Sequence, residues 1–266
     1  MLSNIRIGGL ISGTGSILHA ILKACRQGKI VGNLVFIGSY NPDAAGLQMG
    51  RHAGIATFVV DYRSIERLYR SNPDLVEIPS DFQLDDICGK QNLFPEDADP
   101  GKVAIFLASR AVAEGQLLRE MQAYPFDLLV CAGYMRVLTP YFIDRVNTDP
   151  DHPRIMNIHP ALLPAFPGTD GYADTFRYGS KIAGCTVHFI DYGEDTGPII
   201  AQRAFPILDE DTLDSVKMKG LALEWELFPE CIQLFAQGRV RLERRSFETQ
   251  EGDRFERKVV TILPND

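Results

Sequence analysis

A regular alternation of short apolar runs and helical patterns begins the chain and constrains its fold more than any other feature. Strand–helix–strand units at this spacing join parallel strands through right-handed crossovers. The sequence therefore predicts an α/β fold, with a Rossmann-like, mostly parallel sheet and helices on both faces. The first predicted strands are residues 5–11, 34–37 and 56–60. The second predicted helix spans residues 42–53, and the first presents on one face Ile17, Leu18, Ile21, Leu22 and Cys25.

The same alternation returns in the second half of the chain. Its most strand-like run is residues 127–132, and a long helical pattern from Thr212 to Gln237 ends at Gly238, a residue that commonly terminates helices. We predict a single domain over residues 1–266. Its parts are a phosphate-binding half at 1–140, a catalytic half at 141–240 and a tail of edge strands at 241–266. The other predicted elements are a helix at 108–123, strands at 154–158, 181–190 and 198–206, and a helix after residue 168.

An acidic insertion interrupts the alternation between about residues 62 and 105. Residues 72–102 carry eight acidic residues against two lysines, and prolines stand at positions 73, 79, 95 and 100. This composition predicts loops with one short helix. Long excursions of this kind inside a compact domain are usually functional or mobile. The composition favours a solvated surface extension over a lid.

The overall composition excludes several classes of function. With 45% hydrophobic and 23% charged residues, the chain has enough apolar material for a core. Its net charge is −8 and no dense run of Lys and Arg occurs, so a nucleic-acid partner is not expected. No apolar stretch approaches the ~20 residues that cross a bilayer, and the first residues do not resemble a signal peptide. We expect small-molecule substrates and no membrane partner.

The cysteines indicate the compartment. Five cysteines are scattered along the chain without a CxxC pair, which argues against a disulfide framework or a zinc site. This usage predicts a cytoplasmic protein. The sequence leaves the oligomeric state open, with a homodimer as one option.

A glycine-rich turn lies between the first strand and the first helix. Its residues Gly13, Thr14, Gly15 and Ser16 could present backbone N–H groups to a phosphate. The turn lacks the lysine of a P-loop, and Leu18 stands where a dinucleotide-binding turn needs its third glycine. A phosphate monoester is therefore favoured over ATP or NAD. A tight turn without any ligand fits these residues equally well.

Four polar residues in the second half lie at the ends of predicted strands. Asn157 and His159 alternate along one strand and so share a face, while His188 and Asp195 lie on and after the next strand. These residue types suit acyl transfer to an amine, because His can shuttle a proton, Asn can donate to an oxyanion and Asp can stabilise an imidazolium. Each residue alone could equally be a satisfied polar group. A metal site on the two histidines and Asp195 lacks HxH or HExxH spacing, and no nucleophile motif is present.

Several strings, taken together, resemble the folate-dependent formyltransferases, and among them the glycinamide ribonucleotide formyltransferases. The strings are ISGTGS at 11–16, AGYMRVL at 132–138, NIHPALLP at 157–164, PG at 167–168 and DTGPII at 195–200. The resemblance spans residues 4 to about 240 apart from the acidic insertion. It implies transfer of a formyl group from 10-formyltetrahydrofolate to the amine of glycinamide ribonucleotide in purine biosynthesis, by direct attack and without a metal.

The resemblance also implies a role for each matching residue. Asn157, His159 and Asp195 match the catalytic residues, and His188 matches a histidine that supports Asp195. The residues expected to bind the acceptor are Gly13, Thr14, Gly15, Ser16 and Ile17 at its phosphate and Glu224 at its ribose. The residues expected to bind folate are Arg110 at its glutamate tail, with Met135, Arg136, Val137, Leu138, Asp191 and Glu194 around the rest of the molecule.

Three positions and the insertion depart from the family pattern. Ile17 replaces an asparagine of the phosphate loop, and Asp170 and Tyr172 replace two histidines of the loop that covers the substrates. These departures keep two alternatives open. One is a formyltransferase for another amine, such as an amino-sugar nucleotide, and the other is a non-catalytic ligand-binding relative. Formyltransferases acting on methionyl-tRNA and formyltetrahydrofolate hydrolases are not expected, because both carry an additional domain.

Overall fold

The computed structural model describes residues 4–249 and 252–264, and its centre is a seven-stranded sheet. The strands are β1 Ile5–Ile11, β2 Gly32–Ser39, β3 Ala56–Val59, β4 Leu128–Cys131, β5 Ile155–His159, β6 Ile182–Phe189 and β7 Ile199–Pro206. Their order in the sheet is β3-β2-β1-β4-β5-β6-β7. The first five are parallel, whereas β6 is antiparallel to β5 and β7 to β6. The predicted mostly parallel sheet is confirmed.

Helices cover the sheet. They are α1 Ser16–Arg26, α2 Ala45–His52, α3 Tyr62–Ser71, α4 Leu84–Lys90, α5 Pro100–Gln122, α6 Pro140–Val146, α7 Gly171–Arg177 and α8 Leu213–Ala236. The Thr212 side chain caps α8, and Gly238 follows it with a φ of 68°. The short helix α6 was not predicted from the sequence.

The core has two layers, one on each face of the sheet. Along β4, Leu128 and Val130 belong to one layer and Leu129 and Cys131 to the other, as expected for a strand whose side chains alternate. Helices α1, α2 and α8 close the first layer, and α5 and α6 close the second. The carboxyl ends of β1, β4 and β5 therefore open between two packed layers, where parallel sheets bind ligands.

The prediction for the acidic insertion was wrong in its secondary structure. The segment contains α3, a 3-10 turn at Pro73–Leu75, α4 and the first turn of α5, which begins at Pro100 instead of residue 108. The acids and prolines are helix-start signals: Asp61 caps α3 through the N–H of Ser64, and Asp99 caps α5 through the N–H of Lys102. Ile87 of α4 packs with α5 in a small apolar cluster of its own.

The tail, predicted as one or two edge strands, forms two strands that lie outside the central sheet. β8 Val240–Glu248 and β9 Arg254–Ile262 pair with each other in a separate two-stranded sheet. Val240 and Val260 pack against the first core layer. The alternation in the sequence identifies strands, but it does not say which partner they pair with.

Candidate active site

A cavity of about 330 Å³ opens at the carboxyl ends of β4 and β5. It brings together most of the residues predicted from the sequence, although they are distributed over five separate segments. Among its lining residues are Ile17, Met135, Arg136, Val137, Leu138, Asn157, His159, Tyr172, His188, Asp191, Glu194, Asp195 and Glu224.

His159 ends β5 with its ring buried and both ring nitrogens facing oxygen atoms. Nε2 lies 2.8 Å from the carbonyl oxygen of Phe166, and Nδ1 lies 3.1 Å from Oδ2 of Asp195. A carbonyl and a carboxylate can only accept, so the geometry suits a ring with a proton on each nitrogen. Burial lowers the pKa of His159, although Asp195 and the Phe166 carbonyl act in the opposite direction. The net effect holds the pKa of His159 below its usual value.

Asp195 is held beside His159 by a backbone amide and a second histidine. The N–H of Gly168 donates to its Oδ2 over 2.9 Å, and Nε2 of His188 lies 3.6 Å from its Oδ1. Burial alone would raise the pKa of Asp195, but these neighbours and His159 together lower it below its usual range. The carboxylate is therefore ionised at neutral pH and can stabilise an imidazolium on His159.

The two loops that reach His159 have unusual backbone conformations. Phe166 and Asp195 have φ angles of 54° and 55°, and no other non-glycine residue in the described ranges has a positive φ. This left-handed conformation costs such residues on the order of 1 kcal/mol. Both residues present an oxygen atom to the same imidazole, so the strain lies where the site needs those atoms.

Asn157 and His188 face each other across β5 and β6. The two residues are directly paired in the antiparallel register, and Nδ2 of Asn157 lies 3.2 Å from Nε2 of His188. Nδ1 of His188 lies 2.9 Å from the carbonyl oxygen of Phe189, so Nδ1 carries a hydrogen. A hydrogen on Nδ1 alone lets Nε2 accept from the Asn157 amide, and a second hydrogen on Nε2 lets it face the Asp195 carboxylate. His188 thereby orients the amide nitrogen of Asn157, which keeps one further N–H for a ligand in the cavity.

Glu224 of α8 also lines the cavity and is buried. The Tyr172 hydroxyl donates to its Oε1 over 2.6 Å. Burial raises the pKa of Glu224 to about 7, and the bond from Tyr172 works against that shift. Gly220 makes this contact possible, since a Cβ at that position would lie only 2.1 Å from Cζ of Tyr172. The departure at position 172 thus places a phenol on the predicted ribose-binding acid.

The glycine-rich turn follows β1 and is stabilised by close backbone contacts. Gly15 has a φ of 72°, and a Cβ there would lie 2.9 Å from Cα of Gly46 on α2. Thr14, Gly15 and Ser16 line a neighbouring cleft between α1 and α8, with His19 and Lys23. Ile17 lines the central cavity, and its side chain packs in the core. Gly13 lines neither space.

Arg110 does not line the cavity, in contrast to the other predicted folate-binding residues. Its side chain is buried beside α3, where Nε lies 3.4 Å from Oε1 of Glu66. Arg136 does line the cavity, and its Nη1 lies 3.6 Å from the same carboxylate oxygen. Both arginines thus share one acid from the insertion, and the role of Arg110 at the folate tail stays a prediction.

Other groups at the site were missed by the sequence analysis. They are the carbonyl of Phe166, the N–H of Gly168 and the hydroxyl of Ser12, which accepts from the N–H of Met135 over 2.7 Å. The first two are backbone groups whose direction depends on tertiary structure, so no sequence signal could identify them. Within residues 4–249 and 252–264, no group of three or more His, Cys, Asp or Glu side chains is arranged to hold a metal. None of the helices described here is both long and apolar enough to cross a bilayer.

Comparisons with known proteins identify the family of the chain. A family model described as formyl transferase matches residues 5–232. The phosphoribosylglycinamide formyltransferase of Escherichia coli K12 is 30% identical over 237 residues, which cover 89% of this chain and 90% of the relative. The trifunctional purine biosynthetic protein adenosine-3 of Drosophila melanogaster is 33% identical over 235 residues, which cover 88% of this chain but only 14% of that longer protein.

The solved structures give the same result for the fold. A glycinamide ribonucleotide transformylase 1 from Symbiobacterium toebii superposes with a TM-score of 0.71 at 36% identity, covering 98% of this chain and 95% of that one. A phosphoribosylglycinamide formyltransferase from Anaplasma phagocytophilum superposes with a TM-score of 0.66 at 29% identity and covers 99% of this chain and 96% of its own. Both similarities extend over nearly the whole chain.

Proposed function

The chain belongs to the formyl transferase family, and we propose that it transfers a formyl group from 10-formyltetrahydrofolate to the amine of glycinamide ribonucleotide. The observation that carries this proposal is the buried His159–Asp195 pair beside Asn157 in a single cavity. The names of its relatives specify the same acceptor. No observation in the structure favours an amino-sugar nucleotide or a non-catalytic role.

The residues of the cavity support a direct transfer. The neutral amine attacks the formyl carbon, and a tetrahedral intermediate forms with negative charge on the formyl oxygen. The free N–H of Asn157 donates to that oxygen, and His159 stabilises it through the positive charge of its ring. Asp195 stabilises the positive charge that His159 carries when its ring is protonated and, through a water, takes the proton that the amine loses. The nitrogen of the donor takes up that proton through the same water, its bond to the formyl carbon breaks, and tetrahydrofolate and the formylated acceptor are released.

The two substrates are assigned to different sides of the cavity. Glu224 would accept hydrogen bonds from the ribose hydroxyls, and the turn from Gly13 to Ile17 would hold the phosphate through backbone N–H groups. Met135–Leu138 and the loop 191–195 would bind folate. The nearby open cleft with His19 and Lys23 is compatible with an anionic acceptor entering from that direction.

The proposal also covers the cellular setting. We place the protein in the cytoplasm, because its five cysteines are free and include three buried ones. Its partners would be small molecules, without nucleic acid or membrane. A homodimer is one option, which sedimentation of the purified protein would test.

One assay tests the reaction. Purified protein, glycinamide ribonucleotide and 10-formyltetrahydrofolate should yield tetrahydrofolate and the formylated ribonucleotide, whereas an amino-sugar nucleotide should not replace the acceptor. Absence of turnover by a folded protein that binds folate would contradict the proposal. Preference for the amino-sugar nucleotide would support the other acceptor class.

A further inference from the structure

The acidic insertion contacts the loop that carries Asp195 through the backbone of Asn92. The N–H of Asn92 donates to the carbonyl oxygen of Tyr192 over 2.9 Å, and Asn92 forms a parallel β-bridge with Gly193. Gly193 also donates its N–H to the carboxylate of Asp191 over 3.2 Å. A residue of the insertion therefore completes the backbone pairing of a loop that lines the cavity.

Three polar side chains reinforce this contact. Nζ of Lys90, the last residue of α4, lies 2.9 Å from Oδ2 of Asp144 on α6. The hydroxyl of Tyr192 donates to Oδ1 of the same carboxylate over 2.5 Å. One acid thus joins the insertion, α6 and the loop 191–195. We call Lys90, Asn92, Asp144 and Tyr192 the latch.

The latch is better shielded than an ordinary surface ion pair. The side chains of Lys90 and Asp144 are 37% and 30% exposed, whereas those of the pair Lys181–Asp209 are 78% and 94% exposed. Partial shielding strengthens a charged hydrogen bond, while fully exposed pairs contribute little. Removing the Lys90 ammonium should therefore change the position of Tyr192, because the Tyr192 hydroxyl bonds to the same carboxylate.

We propose that the latch positions the loop 191–195 for the folate cosubstrate, so that the insertion sets the affinity for the formyl donor without touching it. This inference rests on the proposed function. The loop contributes backbone groups to the cavity, and the position of a backbone group can be changed only through the residues that hold it. Lys90 and Tyr192 are accordingly positioning residues.

The main test compares Lys90→Met with Lys90→Arg and with Lys181→Met as a matched control. We expect Lys90→Met to raise KM for 10-formyltetrahydrofolate about five- to twentyfold, because a partly shielded charged hydrogen bond contributes about an order of magnitude to an equilibrium constant. KM for the acceptor should stay within twofold. Lys90→Arg should restore the donor KM, and Lys181→Met should leave it unchanged. An unchanged donor KM in Lys90→Met, or a parallel rise for both substrates, would overturn the proposal.

A second control separates the latch from general docking of the insertion. Asp81 pairs with Arg145 of α6 over 2.7 Å and does not touch Tyr192. Asp81→Asn should therefore lower the melting temperature without changing the donor KM. A donor KM that rises equally in Asp81→Asn and Lys90→Met would contradict a specific role for the latch. Tyr192→Phe removes only the hydroxyl, and it replaces Lys90→Met in the same KM measurement if Lys90→Met does not fold.

Calorimetric binding of tetrahydrofolate distinguishes this inference from the proposed function. If the unaltered protein binds tetrahydrofolate but turns over no acceptor, the proposed function fails and the latch is still tested by weaker binding in Lys90→Met. If turnover occurs and Lys90→Met binds tetrahydrofolate normally, only the latch fails. Absence of tetrahydrofolate binding by the unaltered protein would contradict both the proposed function and the role of the latch.

Discussion

The two sides of the central cavity are built differently. The side to which we assign the acceptor is formed by α7 and α8, where the Tyr172 hydroxyl bonds directly to the buried carboxylate of Glu224. We call it the acceptor side. The side to which we assign the folate donor is formed by the loops 133–138 and 191–195, where the backbone N–H groups of Met135 and Gly193 donate hydrogen bonds. We call it the donor side. Packed helices hold the first side, whereas the second depends on contacts made outside the cavity.

This difference indicates where substitutions can change the affinity for each substrate. A single substitution on the acceptor side removes a group that would touch the ligand. On the donor side several of the groups are backbone groups, and altering their position requires changes at a distance, as at the latch. The comparison can be tested by measuring KM for each substrate separately in every variant.

The largest effect is expected where the two sides meet, at Asn157. Asn157→Ala removes a donor to the developing oxyanion, so kcat should fall about 10²–10³-fold. KM should change little for either substrate, because the interaction is made mainly in the transition state. Steady-state kinetics with both substrates would measure this, with the exposed Asn33→Ala as control. A loss of less than about threefold would remove Asn157 from the mechanism.

The next largest effect is expected at Glu224. Glu224→Gln replaces a charged acceptor by a neutral one, so KM for glycinamide ribonucleotide should rise about ten- to a hundredfold. KM for the folate donor should not change, because Glu224 belongs to the acceptor side. Glu226→Gln, on an exposed position of the same helix, provides the control. A rise in the donor KM would show that the two sides are not independent.

A smaller effect with a defined pH dependence is expected at Tyr172. Acceptor binding by the Glu224 carboxylate should strengthen as pH rises through about 7, the raised pKa of this buried acid. Tyr172→Phe removes a bond that lowers that pKa, so the midpoint should move to higher pH. At pH 7 the acceptor KM should then rise about two- to fivefold. An unmoved midpoint in the pH profile of kcat/KM would contradict this role.

The smallest effect on catalysis is expected at Glu114, where stability is the measurement. Burial raises the pKa of Glu114 from 4.5 to about 7, so the folded state binds an extra proton between these values. The free energy of unfolding therefore falls as pH rises from about 5 to 8, by up to about 3 kcal/mol. Glu114→Gln cannot ionise and should show a flatter dependence in urea unfolding. Glu120→Gln on the same helix should retain the full dependence.

Local patterns were enough to predict most of the fold. β1 was predicted to the residue, and the long helix before Gly238 within one residue at each end, because periodicity and caps are local signals. The prediction for the acidic insertion was wrong because its local signals are ambiguous. Asp61, Asp99 and Pro100 are helix-start residues, but in an acidic, proline-containing segment the same residues also indicate loops.

The side chains of the site could be predicted, and the groups that hold them could not. Asn157, His159 and Asp195 stand in recognisable strings, and the structure places them in one cavity. The latch had no such signal, because Lys90 and Asp144 lie 54 residues apart and meet only through tertiary packing. The position of Arg110 beside Glu66 likewise depends on the fold of an insertion that the sequence analysis treated as loops.

The register between β5 and β6 has a consequence for how such a site can evolve. Asn157 faces His188 and His159 faces Thr186 across this antiparallel pair. Side chains alternate with a period of two, so losing or gaining one residue inside β5 would turn Asn157 and His159 away from the cavity together. Length variation among descendants of this chain should therefore be confined to the connections, such as residues 147–153, whereas substitutions can accumulate within the strands.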